Sequence, residues 1–157
     1  MKASYDIGAF EASVMMPMHL VVSAEGRIMG AGPVMQRLLG DAVYFHDVLA
    51  TDHQFRGYAA SDDAISELRS GRRTVLRVRG QDDLVLRGHG VPLSDGAMLL
   101  NFGFGMSLPH AIKLLSLSEA DFSPSSNVIE LLFMYEASQA IMGEISRANQ
   151  ALEIERR

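Results

Sequence analysis

Apolar positions in this chain recur at two periods, and the period changes mark its elements. Short β-rich runs at Met18–Ser23, Arg27–Ala31, Arg72–Arg79, Leu84–Val91 and Ala97–Phe104 predict five strands. The third of these alternates most clearly, with Thr74, Leu76 and Val78 on one face and Arg77 and Arg79 on the other. Ala24-Glu25-Gly26, Gly80-Gln81-Asp82-Asp83 and Ser94-Asp95-Gly96 read as the turns that join them. Helical spacing appears between and before the strands. Tyr5, Ile7, Phe10 and Val14 predict a short amphipathic helix that Pro17 ends, and Val34, Leu38 and Leu39 predict a second after Gly32-Pro33. Tyr44–Leu49 reads as a short apolar helical piece. Ser61 with Asp62 and Asp63 opens a helix through Ala64, Ile65 and Leu68 that Ser70-Gly71 stops.

The last long segment has a different character. Asn127 with Glu130 three residues on forms an N-cap pair, Pro124 disfavours an earlier start, and no proline interrupts the chain from there to Arg157. Val128, Leu131, Tyr135, Ser138, Met142, Ile145, Asn149 and Leu152 recur at alternating steps of three and four, the spacing of a coiled-coil interface. A helix of this length spans ~45 Å at 1.5 Å per residue, too long for one wall of a small core. Before Gly143 it also carries Leu132, Phe133, Met134 and Ile141, a broader apolar surface than a two-stranded contact needs. Asn149 between Ile145 and Leu152 fits the polar interface position that selects register and a two-stranded state. The competing reading is a terminal helix folded back on its own core.

The element order is a hairpin, short helices, a three-stranded meander and then the long helix. It resembles that of a PAS-type α+β domain, a five-stranded antiparallel sheet with short helices on one face. Residues 1–124 are expected to form this PAS-like unit, with 1–16 as an N-terminal helical cap, and 125–157 the signalling helix.

Composition narrows the chemistry. At 157 residues the chain is long enough to bury a core without staples. The absence of cysteine excludes disulfides, thiolate metal sites, thiol nucleophiles and cysteinyl–flavin adducts. A net charge of −5 argues against nucleic acid as a general partner. With no secretion signal and no membrane-length apolar run, a cytoplasmic location is expected.

More specific matches lie along the chain. Met16-Pro17-Met18-His19-Leu20-Val21-Val22, then Gly26-Arg27-Ile28-Met29-Gly30-Ala31-Gly32-Pro33 leading into Leu38-Leu39, resembles the opening of the haem-NO-binding-associated (HNOBA, or H-NOX-associated) PAS-like domain. Leu76-Arg77-Val78-Arg79-Gly80-Gln81 is similar to that family's mid-domain strand and turn. Leu114–Phe122, followed by Val128-Ile129-Glu130-Leu131-Leu132-Phe133, is similar to its loop into the connecting helix. The resemblance covers residues 14–150 and departs at Gly88-His89-Gly90 and Phe102-Gly103-Phe104-Gly105, where glycines stand in place of bulkier residues. It implies a homodimeric, non-catalytic module that passes a signal through its coiled coil to an output domain in cis. That output would be a nucleotide or diguanylate cyclase (GGDEF-type), or a histidine kinase. A haem NO-sensor protein or domain is the implied upstream partner, unless the PAS-like unit is itself the input. An alternative reading is a ligand- or cofactor-binding sensor with its pocket between the sheet and the short helices.

No enzyme motif is present. There is no GxxxxGK[ST] phosphate loop, no GxSxG elbow and no HxxxH metal spacing. Asp62-Asp63 and Asp82-Asp83 fit a helix cap and a turn. His19 is expected to be a satisfied structural residue on a strand, His89 between two glycines an exposed loop residue in preference to an axial ligand, and His110 a loop residue, while His46 and His53, seven apart across a helix end, define no shared metal by pattern. No metal and no cofactor are expected. Arg72, Arg73, Arg77, Arg79 and Arg87 form either a basic sheet face for an anion or a solvated face. The candidate functional residues are those of the helix interface: Leu131, Tyr135, Ser138, Met142, Ile145, Asn149 and Leu152.

Overall fold

Among the described residues six strands, not five, build the sheet: His19–Val22 (β1), Ile28–Ala31 (β2), Leu49–Thr51 (β3), Thr74–Val78 (β4), Gln81–Pro92 (β5) and Met98–Gly103 (β6). They hydrogen-bond in the order β2-β1-β6-β5-β4-β3, every pair antiparallel. The computed structural model describes residues 5–51 and 64–155. Contacts within the chain divide it into two units, Met1–Pro124 and Ser125–Arg157. The class is α+β, with an antiparallel sheet and a long C-terminal helix.

The expected meander is β4-β5-β6, and the β1–β2 hairpin joins its β6 edge through His19–Val22 against Met98–Asn101. At the hairpin turn Gly26 adopts φ +84°, and a Cβ there would lie 2.8 Å from Ile65 Cδ1, so the turn needs glycine twice over. Ser23 Oγ accepts the N–H groups of Glu25 and Arg27, which closes the turn. The extra strand comes from a segment read as helical. Tyr44–Leu49 holds only a single 3₁₀ turn at Phe45–Asp47, and Leu49–Thr51 then pairs with Leu76–Val78 on the free edge of β4. A three-residue strand is too short to show a period of two, so the pairing partner decided it.

The described residues include the α-helices Ala9–Met15 (α1), Pro33–Leu39 (α2), Ala64–Arg69 (α3) and Leu108–Leu115 (α4) in the first unit and Val128–Glu155 (α5) in the second. The helix expected over Tyr5–Val14 begins only at Ala9, with Gly8 as its extended N-cap, so the predicted cap over 1–16 is shorter than its pattern. The Ser61–Asp63 start expected for α3 lies outside the described residues. Helix α4 occupies a stretch that carried no helical prediction. Pro109 sits in its first turn, where the missing N–H costs nothing, and Ser116 in the left-handed region ends it.

The core lies on one face of the sheet. Leu20, Val22, Leu76, Leu84, Leu86, Met98, Leu100 and Phe102 point from the strands towards Val34, Met35 and Leu39 of α2, Ile65 and Leu68 of α3, and Phe45. Burying a side chain of this size stabilises the fold by roughly 1.5–3 kcal/mol. The alternation predicted for β4 holds, with Thr74, Leu76 and Val78 buried.

The glycines of β5 belong to this face. Gly88 stands opposite Phe102 and Gly90 opposite Leu100. A Cβ at Gly88 would fall on the Asn101 carbonyl oxygen and 2.5 Å from Phe102 Cδ1; one at Gly90 would meet Leu100 Cδ2 at 2.5 Å and Met98 Cε at 2.9 Å. The large side chains of β6 therefore fill space that β5 leaves empty.

One ion pair staples the core's far side. Arg37 of α2 reaches Asp121 at 2.5 Å, and the other Asp121 oxygen accepts the Ser118 N–H at 2.8 Å. Burial pushes the Asp121 carboxyl up, but the Ser118 N–H, the Arg37 guanidinium and the Ser118 hydroxyl outweigh it and hold it below the ordinary aspartate value.

Candidate functional site

Helix α5 begins where Leu131 N–H bonds the Asn127 carbonyl oxygen, with Ser126 Oγ accepting the Val128 N–H. It runs 28 residues without a break, about 42 Å at 1.5 Å per residue. Gly143 sits inside it and does not stop it. All seven candidate interface residues are in this helix and all are exposed. Leu131 shows 51% of its surface, Met142 64%, Ile145 53% and Leu152 59%, values at which an isolated helix would be leaving its apolar side chains in water. Ser138 and Asn149 lie on the same stripe by spacing. Phe133, Met134, Ile141 and Ile154 are exposed beside it, so the apolar surface is broad over the whole helix.

The sheet unit offers a second candidate on the face turned away from its core. Residues of odd parity on β5 point there, together with their cross-strand partners. His89 stands opposite Asn101, and Asn101 opposite His19, so three polar side chains form a row across β5, β6 and β1. In the next row Val75 stands opposite Arg87, and Arg87 opposite Gly103. Arg77 stands opposite Val85 on this face, and Val91, Val21 and Leu99 add apolar groups to it.

Two hollows lined wholly by described residues lie on this face. One of about 820 Å³ runs between the segment Tyr5–Met16 and the β2-β1-β6 strands, with His19, Val21, Leu99 and Met29 along it. The other, of about 450 Å³, lies over β4-β5-β6 and includes Arg73, Arg87, His89 and Asn101. The layer between the sheet and the short helices, where a sensor pocket was the alternative expectation, is occupied among the described residues by the packed core itself.

The histidines sort by environment. His19 is buried, and its Nδ1 donates to the Met16 carbonyl oxygen at 2.9 Å, which satisfies it as a structural residue. His89 is on strand β5 rather than in a loop; its flanking glycines serve the core face and do not break the strand. His110 is in α4, not a loop, and is exposed. His46 lies in the 3₁₀ turn, and His53 lies outside the described residues. Among the described residues no three metal-ligating side chains cluster, and no helix is long and apolar enough to cross a membrane.

The five arginines expected on one face are held differently, with Arg77 on the outer face beside Arg87 and Arg72 ahead of β4. Arg79 Nε donates to the His46 carbonyl oxygen at 2.9 Å and Arg77 Nη1 to that of Asp82 at 3.1 Å, so backbone acceptors occupy both. Arg73 and Arg87 are left beside the smaller hollow. The signal that would have found this group is the parity of β5: Arg87 and His89 share a face with Val85 and Val91. Asn101 is reached only through strand pairing. Compared with known proteins, the chain matches no family model and no curated sequence.

Proposed function

We propose that this chain is a PAS-like regulatory module that dimerises through α5 and relays a signal along the paired helices to an output in cis. The observation that carries this reading is the exposed apolar stripe of α5, repeated at coiled-coil spacing over 28 residues. A second copy covers such a stripe with identical spacing and direction, and Asn149 opposite Asn149 fixes the register. The hairpin–meander sheet with short helices on one face supports the PAS-like assignment. On this reading no bond is made or broken. The sheet unit biases two helix arrangements that differ in register or crossing angle, and the output reads the difference. A nucleotide or diguanylate cyclase is the proposed output, with a haem NO-sensor as the proposed upstream partner.

Ile145→Asp tests it. Ile145 is 53% exposed in the single chain, so pairing removes about half of it from water, roughly 1 kcal/mol per chain. A carboxylate placed in that contact adds several kcal/mol more. Sedimentation equilibrium is expected to show a wild-type dimer at tens of micromolar and a dissociation constant raised at least ~100-fold in the variant. Arg147→Ala, off the stripe, is expected to change nothing. A monomeric wild type, or a variant that dimerises equally well, removes the reading.

A further inference from the structure

We propose that the outer face of the sheet carries a binding site for a small oxyanion, a molecule presenting a phosphate or carboxylate group, built from Arg73, Arg87, His89 and Asn101. The site stands on the sheet unit alone and does not depend on how α5 pairs.

Strand register assembles the four residues. Thr74 pairs with Gly88, which puts Arg73, one residue earlier, opposite His89; His89 in turn pairs with Asn101. Arg87 lies two residues before His89 on the same face, and its own partner across the ladder is Gly103. Nothing lies within 4 Å of where a Gly103 side chain would begin, so the surface beside Arg87 is open on that side. The Arg87 stem also passes 3.7 Å from where a Cβ of Gly105 would stand, an ordinary contact distance. The result is a hollow of about 450 Å³ floored by the Gly88 and Phe102 backbone region, large enough for a small metabolite.

Charge gives the hollow its chemistry. None of the residues lining it is a carboxylate, although the chain as a whole carries 19 acidic residues against 14 basic ones. Arg37 is paired with Asp121, and Arg77 and Arg79 are held by backbone oxygens. Among the described residues Arg73 and Arg87 have no such acceptor. Arg73, just ahead of β4, and Arg87 on β5 are both exposed and both line the hollow, and an oxyanion held there would meet two donor forks of the geometry that carboxylate and phosphate prefer. The Asn101 amide and a His89 ring N–H add further donors on the side towards β6. An apolar ligand would leave all of these donors unmet, and a cation would meet only like charge.

The test is a titration of the ¹⁵N-labelled chain with inorganic phosphate and, separately, with succinate, at ionic strength held constant with sodium chloride. Saturable amide shifts confined to residues 73–75, 87–89 and 101 are expected. Arg73→Gln and Arg87→Gln are each expected to weaken binding about tenfold or more, and Arg27→Gln, on the hairpin turn away from the hollow, to leave it unchanged. Tighter binding of phosphate than succinate assigns a phosphorylated ligand, and the reverse order a carboxylate. Shifts that sodium chloride alone reproduces, or that persist undiminished in the double Arg73→Gln, Arg87→Gln variant, overturn the proposal.

Discussion

Three glycines that look alike in the sequence are expected to respond differently to the same methyl group. At Gly88 an added Cβ meets the Asn101 carbonyl oxygen, part of a hydrogen-bonded ladder that cannot yield locally, and Phe102 Cδ1 at 2.5 Å. Phe102 is 6% exposed and locked by the core, so the clash is relieved only by spreading β5 from β6 or by displacing the ring. Overpacking of this kind costs about 1–3 kcal/mol, and partial loss of the Phe102 contacts adds to it. We expect Gly88→Ala to destabilise by about 2–4 kcal/mol. At Gly90 the neighbours are Leu100 Cδ2 and Met98 Cε, terminal atoms of side chains and not backbone, and about 1 kcal/mol is expected. At Gly103 nothing lies within 4 Å and φ is not positive, so Gly103→Ala is expected to stay within about 0.5 kcal/mol. Urea denaturation followed by circular dichroism gives the three values, and a thermal melt should place Gly88→Ala roughly 5–12 °C below wild type. Equal effects at Gly88 and Gly103 would refute the reasoning, because they would mean the β5 glycines are not there to admit the side chains of β6.

Asn149→Leu is expected to tighten self-association of the chain by about tenfold or more while admitting other registers or oligomers, read by sedimentation velocity; an unchanged or weaker association would remove Asn149 from the interface. Asp121→Asn is expected to cost about 1.5–3 kcal/mol at pH 7, where the carboxylate is ionised and held by Arg37 and Ser118. Because the folded state lowers the Asp121 pKa, its contribution is present above the ordinary aspartate value and fades as pH falls through the depressed native one. Wild type and variant should therefore converge in acid-titrated stability curves, and a gap that persists or widens at low pH would show that the pair is not its source.

Legibility followed the length of each pattern. Thr74, Leu76 and Val78 fill three consecutive inward positions, so β4 and its buried face were readable directly. Leu49–Thr51 holds too few residues to display any period, and its strand character arises from the unpaired edge of β4 beside it. Leu108–Leu115 was hidden because proline reads as a breaker, although the first helical turn tolerates it. The glycines around His89 suggested a loop for a related reason. A glycine signals backbone freedom in a sequence, whereas here Gly88 and Gly90 supply missing volume within a regular strand.

The candidate sites divide along the same line. A 28-residue helix and the spacing of Leu131, Tyr135, Ser138, Met142, Ile145, Asn149 and Leu152 follow from local rules alone, since helix geometry converts sequence separation into position. Which face of β5 meets which residue of β6 is set by register, and register couples residues far apart in the chain. Arg73, His89 and Asn101 therefore became neighbours only in the folded sheet, and only there could Arg77 and Arg79, identical in sequence to Arg73 and Arg87, be seen to have found their acceptors.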